Sequence, residues 1–531
     1  MHDDLQMMRQ LEMEKCFKDL QIPCRWVPDM GYGFGFPLFN YYPPLPYLIG
    51  QVFRLIGFSF VDTVKIVFLL SFIVSGITMY FLAKEFFGVE GGVLSAIFYI
   101  WAPYHSVDIF VRGAMNEAWA LSWFPFILWT AYNLIHKTKN RNNWSIGLAL
   151  SWFALFLTHN LMVLIFTPVF AVWCLLFFWK EKAWRLIPKF IIAALLNLGL
   201  AAFFTIPAIL EQKYVQVNTL VVGYYEYIAH FASLRQLLFS RFWGYGPSVW
   251  LELDKMSFQV GHLHWILTLV IGGLIIWKLI KKGKKSILHT PYPIPLFLFL
   301  IGWFSLFMTH SRSNFLWKII TPLKFVQFPW RFLTITTLIF SFLIGSLTLF
   351  LPKKISYWLI GLLAIGLLIF NWNYFRPEKM GPLTDTQKFT GAAWELQQTA
   401  GIYDYLPKSA ITAPKEPQKK LAEVMDGAAI IKNEKQGTNW ASFNVVVASP
   451  SAVVRVGIFN FPKWRAYIDS KETKVFIGKD EQWGRMYLTI PQCEHKVYIR
   501  LYNTPLRTTA NIISLITWAG LIYYLFRKKH K

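Results

Sequence analysis

The stretch FPWRFLTITTLIFSFLIGSLTLFL, residues 328–351, decides the fold of this chain. After Arg331 it runs to residue 351 without another charge, and about 20 such residues in a helix cross the hydrocarbon core of a bilayer. Ten further runs are mostly apolar: 63–83, 91–107, 117–135, 144–158, 161–179, 187–207, 263–280, 293–309, 355–373 and 509–526. We therefore predict a mainly α-helical, polytopic transmembrane bundle with about eleven spans.

The composition supports a membrane protein. The 531 residues are 55% hydrophobic and 15% charged, and the 24 Trp and 24 Tyr suit aromatic belts at the two membrane interfaces. The net charge of +24 raises the alternative of a nucleic-acid partner. We exclude that partner because the positive charge lies in short loops between apolar runs and not on a separate basic module.

The distribution of Lys and Arg predicts the orientation, because these residues mark cytoplasmic loops. Five basic clusters fall on alternate loops: Lys137, Lys139 and Arg141; Lys180, Lys182, Arg185 and Lys189; Lys278, Lys281, Lys282, Lys284 and Lys285; Lys353 and Lys354; and Arg527, Lys528, Lys529 and Lys531. The sequence therefore predicts a multi-pass plasma-membrane protein with a cytoplasmic C-terminus and an extracytoplasmic N-terminal segment.

Two features near the N-terminus bear on this orientation. The apolar stretch 41–57 contains Pro43, Pro44 and Pro46, which cannot continue a helix interior, so we expect it to lie along the outer interface. No apolar run precedes the acidic residues Asp3 and Asp4 to carry them across the membrane. We therefore expect that a first transmembrane helix is missing from this sequence.

The region 376–508 differs from the apolar runs in its pattern of polar and apolar residues. Alternating segments such as 443–447, 453–458 and 496–501 are typical of short β-strands and predict a small external β-sandwich. We accordingly divide the chain into four regions. They are an external acidic loop with juxtamembrane helices (1–60), a transmembrane region (61–375), the external β-rich domain (376–508), and a C-terminal transmembrane helix with a basic tail (509–531).

The four cysteines show no spacing typical of a metal site. They are Cys16, Cys24, Cys174 and Cys493. Cys16 and Cys24 either form a disulfide in an oxidising compartment or remain free thiols.

Four external segments carry polar groups that could do chemistry. The first is the loop from Asp3 to Asn40, because carboxylates such as those of Asp3 and Asp4 are costly beside a bilayer unless they bind a cation or handle a proton. An ordinary solvated loop is the alternative. The second contains Asp108, Arg112 and Glu117: the first two are four residues apart and can pair on one helical turn, and Glu117 opens an apolar run. Here a helix-capping salt-bridge cluster competes with a functional site.

The third segment is the tight turn at His159, where the alternative is a hydrogen-bonded polar residue without a function. The fourth is the loop 310–331, which has the basic residues Arg312, Lys318, Lys324 and Arg331 and no acid. Positive charge on the external side breaks the usual bias and suggests an anion there, with a lipid phosphate as the candidate. Cations that reach to bulk headgroups would explain the same loop.

Several of these residues lie in motifs that resemble a known family. The chain resembles the 6-pyruvoyl-tetrahydropterin-synthase-related integral membrane proteins, which are placed among the GT-C type glycosyltransferases. The matching motifs are His2-Asp3 with Arg9, Pro23-Cys24-Arg25-Trp26, Gly35-Phe36-Pro37, Tyr42-Pro43-Pro44-Leu45, 112–117 (RGAMNE), His159 and 328–333 (FPWRFL). The segment 461–469 (FPKWRAYID) resembles the external β-domain of related bacterial membrane proteins.

The resemblance implies a GT-C type glycosyltransferase of the cell envelope. Its donor would be a sugar on a polyprenyl phosphate or diphosphate, held in the membrane lipid, and its acceptor a glycan, lipid or protein at the extracytoplasmic face. The competing interpretation is a non-catalytic membrane protein, either a transporter of lipid-linked saccharides or a scaffold for cell-envelope assembly.

The same resemblance implies roles for the candidate residues. Asp3 would be the general base, Asp4 would assist it, and Glu117 would be the second acidic group of the site. Binding of the substrate and its phosphate would fall to Asp108, Arg112, His159, Lys324 and Arg331. A divalent cation, Mg²⁺ or Mn²⁺, stays open as a cofactor, with Asp3, Asp4 and Glu117 as its candidate ligands.

Overall fold

The computed structural model describes residues 3–249, 253–282 and 293–529. Four residues used in the sequence predictions lie outside this part of the chain: His2, Lys284, Lys285 and Lys531.

Seventeen α-helices account for most of the described residues. In chain order they are α1 (Gln6–Lys18), α2 (Leu38–Tyr41), α3 (Leu45–Leu55), α4 (Phe60–Ile100), α5 (Pro103–Ser106), α6 (Met115–His136), α7 (Arg141–Phe156), α8 (Asn160–Lys180), α9 (Ile187–Leu210), α10 (His262–Lys282), α11 (Pro293–Met308), α12 (Asn314–Ile319), α13 (Leu333–Ile344), α14 (Lys353–Asn371), α15 (Asp385–Lys388), α16 (Gly391–Thr399) and α17 (Pro505–Lys529).

The prediction of a polytopic helical membrane protein is confirmed. Seven helical segments in the described chain are long and apolar enough to span a bilayer, or eight if the pair Ile294–Met308 and Ser311–Ile319, bent by 97°, is one span. The predicted number was eleven, and helices α4, α6 and α7 account for the difference. Helix α6, over the run 117–135, has 22 residues but is not among the candidate spans of the described chain. Helix α4 covers two predicted runs and is interrupted at Gly88, where φ is +74°. Helix α7 has only 16 residues, shorter than the roughly 20 that a straight crossing needs.

The proline-containing stretch 41–57 is helical over part of its length, and its position along the outer interface stays a prediction. It forms α3, an 11-residue helix with prolines at its start. At 1.5 Å per residue such a helix extends only about 16 Å, half of the hydrocarbon core. This stretch is not among the candidate spans of the described chain.

The chain divides into two compact units. Unit 1 comprises Met1–Asp4, Lys65–Asn197 and Val221–Gly381, and unit 2 comprises Leu5–Val64, Leu198–Leu220 and Pro382–Lys531. The core of unit 1 is built from apolar side chains of the long helices, with aromatic contacts such as the stacked rings of Phe124 and Phe166, 4.3 Å apart. The division into four consecutive regions stays a prediction.

Unit 2 contains one antiparallel sheet. Its six strands are β1 (Ala422–Asp426), β2 (Ala429–Gln436), β3 (Trp440–Phe459), β4 (Trp464–Ile468), β5 (Lys471–Thr473) and β6 (Arg485–Leu501). The strand order is β1-β3-β6-β4-β5, and β2 also pairs with β3. The β-rich domain is thus confirmed, but the predicted sandwich is a single continuous sheet. Strands β3 and β6 are 20 and 17 residues long, and their pairing shifts register between Val447 and Ser451. This one strand pair therefore continues through both halves of the β-rich domain and joins them in a single sheet.

The N-terminal part of unit 2 packs into this sheet domain. The Trp26 ring lies 5.6 Å from Phe461 and 5.5 Å from Trp464, so residues from two of the quoted motifs share one core. Cys16 and Cys24 form a disulfide, which settles the alternative left open by the sequence.

A buried charge cluster also belongs to unit 2. Glu211 accepts hydrogen bonds from Arg507 Nε (2.7 Å), Thr504 Oγ1 (2.7 Å) and Asn40 Nδ2 (3.1 Å). Arg25 bonds the same Asn40 through its Oδ1, at 3.1 Å. Since Glu211 and Arg507 are each 1% exposed, they form a fully buried ion pair.

Candidate functional site

The candidate site of unit 1 begins at a break between two helices. Residues Val107–Arg112 form a π-helical turn, and Gly113 then adopts a left-handed conformation with φ of +68°. A residue without Cβ suits that conformation. Helix α6 starts two residues later, with Glu117 in its first turn. The break therefore turns the chain so that Arg112 and Glu117, five residues apart, face each other.

Glu117 is the centre of the site and is completely buried. Its Oε2 accepts from Arg112 Nη2 at 2.8 Å and from Arg331 Nε at 3.3 Å. Its Oε1 accepts from the Tyr104 hydroxyl at 2.6 Å. Arg112 also pairs through Nη1 with Asp108, which confirms the contact expected from their spacing. One carboxylate thus holds two guanidinium groups from distant parts of the chain.

The segment before Arg331 fixes the second guanidinium. Gln327 has φ of +66°, an unusual value for a residue with a side chain. At this turn the Val326 carbonyl and Gln327 Oε1 both accept from Arg331 Nη1, at 2.7 and 3.0 Å. Nη2 of Arg331 donates to no atom in the described chain. Nη2 is therefore the nitrogen of this guanidinium that no described residue engages.

Both guanidinium groups lie over aromatic rings. Arg112 lies 4.5 Å from the centroid of Trp330, and Arg331 lies 4.9 Å from that of Phe328. The two rings stack on each other, 4.8 Å apart with an interplanar angle of 18°. The ring faces stabilise the cations and restrict their rotation. The stacked rings of Phe328 and Trp330 thus lie beneath the two arginine side chains.

His159 lies at the edge of the cluster, with its Nε2 4.0 Å from Glu117 Oε2. Its Nδ1 accepts the backbone N–H of Leu161 and so caps helix α8. The proton of the neutral ring is therefore on Nε2, which faces Glu117. Burial, and next the charge of Arg331, lowers the pKa of His159 to about 3. The imidazole is therefore neutral at physiological pH.

The electrostatic balance of the cluster rests mainly on Glu117. Burial, followed by repulsion from Glu117, raises the pKa of Asp108 well above its usual value. Asp108 Oδ2 is buried and has no hydrogen-bond partner among the described residues. The raised pKa of Asp108 weakens its share in neutralising the two guanidinium groups, so Glu117 is their principal counter-charge.

The remaining predicted site residues, Asp3, Asp4 and Lys324, are not among the described hydrogen-bond partners of Glu117. The backbone N–H of Asp3 donates to the carbonyl of Arg112 at 2.8 Å, so the start of the described chain lies against the site. Asp3 and Asp4 are half-buried. Lys324 is exposed, and we find no hydrogen bond between its side chain and the cluster in the described chain.

The predicted divalent cation site requires Asp3, Asp4 and Glu117 to come together around one ion. No group of three or more His, Cys, Asp or Glu side chains in residues 3–249, 253–282 and 293–529 has an arrangement that could hold a metal. Glu117, one of the predicted ligands, is occupied by two arginines and a tyrosine. Among the described residues, Asp3, Asp4 and Glu117 therefore do not form a site that fits Mg²⁺ or Mn²⁺.

Sequence reasoning missed part of the site. Tyr104, Phe328 and Trp330 contact the charged groups directly, and Trp330 Nε1 is itself held by Ser248 Oγ at 3.2 Å. In a chain with this many aromatic residues, membrane-interface belts explained them equally well. The signal for Phe328 and Trp330 was the motif 328–333, in which both come shortly before an arginine that enters an apolar run.

Neither a protein-family model nor a curated protein matches the chain. Among solved structures, it is similar to "Crystal Structure of ArnT from Cupriavidus metallidurans bound to Undecaprenyl phosphate", at 15% sequence identity and a TM-score of 0.35. The similarity covers 68% of this chain and 58% of that chain, which is less than two thirds of its length. Membership of the 6-pyruvoyl-tetrahydropterin-synthase-related family stays a prediction from the motifs.

Proposed function

We propose that this protein is an integral membrane glycosyltransferase of the GT-C type. It would transfer a sugar from a polyprenyl-phosphate-linked donor to an acceptor hydroxyl at the extracytoplasmic face, in assembly of the cell envelope. The observation that carries this proposal is the pair Arg112 and Arg331, oriented by one buried carboxylate and two stacked rings.

This arrangement suits a phosphate for three reasons. Guanidinium groups bind phosphate oxygens in a planar, bidentate geometry. The two side chains are 11% and 10% exposed, so only an edge of each is open to a ligand. Their positions are fixed before the ligand arrives, which lowers the cost of organising charge in the transition state.

In the proposed reaction, the acceptor oxygen forms a bond to the anomeric carbon of the sugar, and the bond from that carbon to the phosphate oxygen breaks. The bonding electron pair leaves with the phosphate, whose charge Arg112 and Arg331 stabilise. The acceptor proton passes to the carboxylate of Asp3, with Asp4 beside it. Glu117 acts here as a positioning residue, because its two oxygens already accept from three side chains.

The Cys16–Cys24 disulfide supports the extracytoplasmic location of the acidic segment. Disulfides persist in oxidising compartments and are rare in the cytosol. The five basic clusters on alternate loops support the same orientation.

The test is sugar transfer by membranes that contain the protein, supplied with a panel of radiolabelled polyprenyl-linked sugars and membrane-extracted acceptors. We expect Asp3→Ala to lower transfer by about 100-fold or more, as loss of a general base does. Arg331→Ala should also abolish transfer. Arg312→Ala is the matched control, because this arginine is exposed in the same loop.

Two results would count against the proposal. Unchanged transfer by Asp3→Ala would remove Asp3 from the mechanism. Binding of a lipid-linked sugar that depends on Arg331, without transfer to any acceptor, would favour the transporter or scaffold interpretation.

A further inference from the structure

Unit 2 contains a cavity of about 470 Å³ that the proposed reaction does not use. This volume is within the range of small-ligand sites, roughly 300–1,000 Å³. Residues from the N-terminal segment, helix α16 and the sheet domain line it, among them Asp29, Tyr32, Trp394, Gln398 and Gln418. Aromatic rings and side-chain amides are thus its characteristic groups.

The backbone holds the aromatic and amide groups in register. The N–H of Tyr32 donates to the Gln398 carbonyl at 3.1 Å, and the N–H of Gln418 donates to the Tyr32 carbonyl at 2.9 Å. Gly33 lies between the two glutamines with φ of +83°, and a Cβ there would lie 3.6 Å from a side-chain atom of each. The positive φ favours glycine at this turn, and a Cβ there would make ordinary contacts with both glutamines.

The two amide groups have fixed orientations. Gln398 Nε2 donates to the carbonyl of Asp29 at 3.2 Å, and Gln418 Nε2 donates to that of Gly457 at 2.8 Å. Their Oε1 atoms accept no hydrogen bond from the described residues. The Oε1 atoms of Gln398 and Gln418 can consequently accept hydrogen bonds from ligand groups that donate, such as hydroxyls.

The charged groups of the cavity are largely engaged with one another. Lys15 pairs with Asp29, and Lys18 pairs with Glu14 at 2.6 Å. Asp19 accepts from the backbone N–H of Thr438. The lining thus contains no unbalanced charge cluster of the kind that recognises a phosphate or a carboxylate.

The half-exposed indole of Trp394 is the remaining element. Its ring packs edge-to-face against Phe389, with centroids 6.1 Å apart and an interplanar angle of 86°. An indole face is electron-rich and attracts C–H groups, which line one face of a pyranose ring. The hydroxyls at the edge of such a ring need oriented acceptors and donors.

We propose that this cavity binds an uncharged, hydroxyl-rich saccharide. One sugar ring stacks on Trp394, and its hydroxyls donate to Oε1 of Gln398 and of Gln418. This proposal goes beyond sugar transfer in unit 1 and does not depend on it, because binding here needs no reaction.

The experiment uses the full chain in lipid nanodiscs, so that no sugar-headed detergent competes. Saturation-transfer NMR with triacetylchitotriose, maltotriose and mannotriose as probes should detect binding of at least one of them. We expect the strongest saturation on the C–H protons of one ring face. Trp394→Ala should weaken that binding about tenfold, the effect of losing one aromatic contact, and Trp394→Phe should restore most of it.

Leu396→Ala is the matched control, because Leu396 lies on the same helix, is 64% exposed and does not line the cavity. It should bind like the unaltered protein. The proposal is overturned if none of the three trisaccharides binds in the millimolar range, or if Trp394→Ala binds as tightly as the unaltered chain. Binding of a peptide probe in their place would overturn it too. The saturation pattern on the unaltered chain tests it even if a variant fails to fold.

Discussion

The substitution Glu117→Gln tests the central claim about unit 1, that one carboxylate positions both arginines. Glu117 is fully buried and accepts from Arg112, Arg331 and Tyr104. Glutamine has nearly the same shape but lacks the charge, and its NH₂ group would point at donors. Among the described residues, Asp108 would then be the remaining acidic partner of the two buried guanidinium groups.

The expected magnitude follows from these contacts. Removing one partner of a buried ion pair costs about 3–5 kcal/mol of folding stability. The glutamine of Glu117→Gln retains one acceptor oxygen, so its cost should lie near the lower end of this range. We expect a loss of about 3 kcal/mol in folding stability and a clearly lower melting temperature. Sugar transfer should fall by about 100-fold, as it does when one preorganised donor is lost from a site.

The assay combines thermal melting of the purified protein with sugar transfer by membranes. Glu226→Gln is the control, because Glu226 is an exposed acid of the same unit. If Glu117→Gln melts and transfers sugar like the unaltered protein, the carboxylate does not position the arginines and the reasoning fails.

Two further predictions concern other buried charges. In unit 2, Glu211→Gln should lower stability by about 3 kcal/mol because it leaves Arg507 buried without its partner; an unchanged melting temperature would contradict this. At His159, the folded-state pKa of about 3 lies below the usual 6.5, so the unfolded chain binds a proton that the folded one does not. The free energy of unfolding should therefore decrease as the pH is lowered from about 6.5 to about 4. His159→Asn keeps a capping oxygen and should make the melting temperature less dependent on pH over this range. An equal pH dependence of melting in both proteins would refute this prediction.

The local part of this structure could be predicted from the sequence. Apolar runs predicted the long helices, and the four-residue spacing predicted the pairing of Asp108 with Arg112. Both inferences depend only on the periodicity of a helix. The strands of the β-rich domain were equally visible, but their length and continuity were not, so one sheet was mistaken for two.

The tertiary part of the site could not be predicted in the same way. Arg331 lies 214 residues after Glu117, and no local rule brings them together. The orientation of Arg331 further depends on Gln327, a residue with positive φ that the sequence does not mark as a turn. Such convergence is a property of packing, which periodicity does not encode.

The geometry of the cluster helps to decide between the two interpretations of Glu117 that the sequence left open. An acid in the first turn of a helix is stabilised by the helix dipole, and one arginine is enough to neutralise it. Here a second arginine is added at the cost of burying another cation, which burial penalises unless the charge has a further partner. Nε and Nη1 of Arg331 donate to Glu117, Val326 and Gln327, whereas Nη2 donates to no atom in the described chain. A phosphate bound there, as we propose, would accept from this nitrogen and would explain why a second arginine is buried beside Glu117.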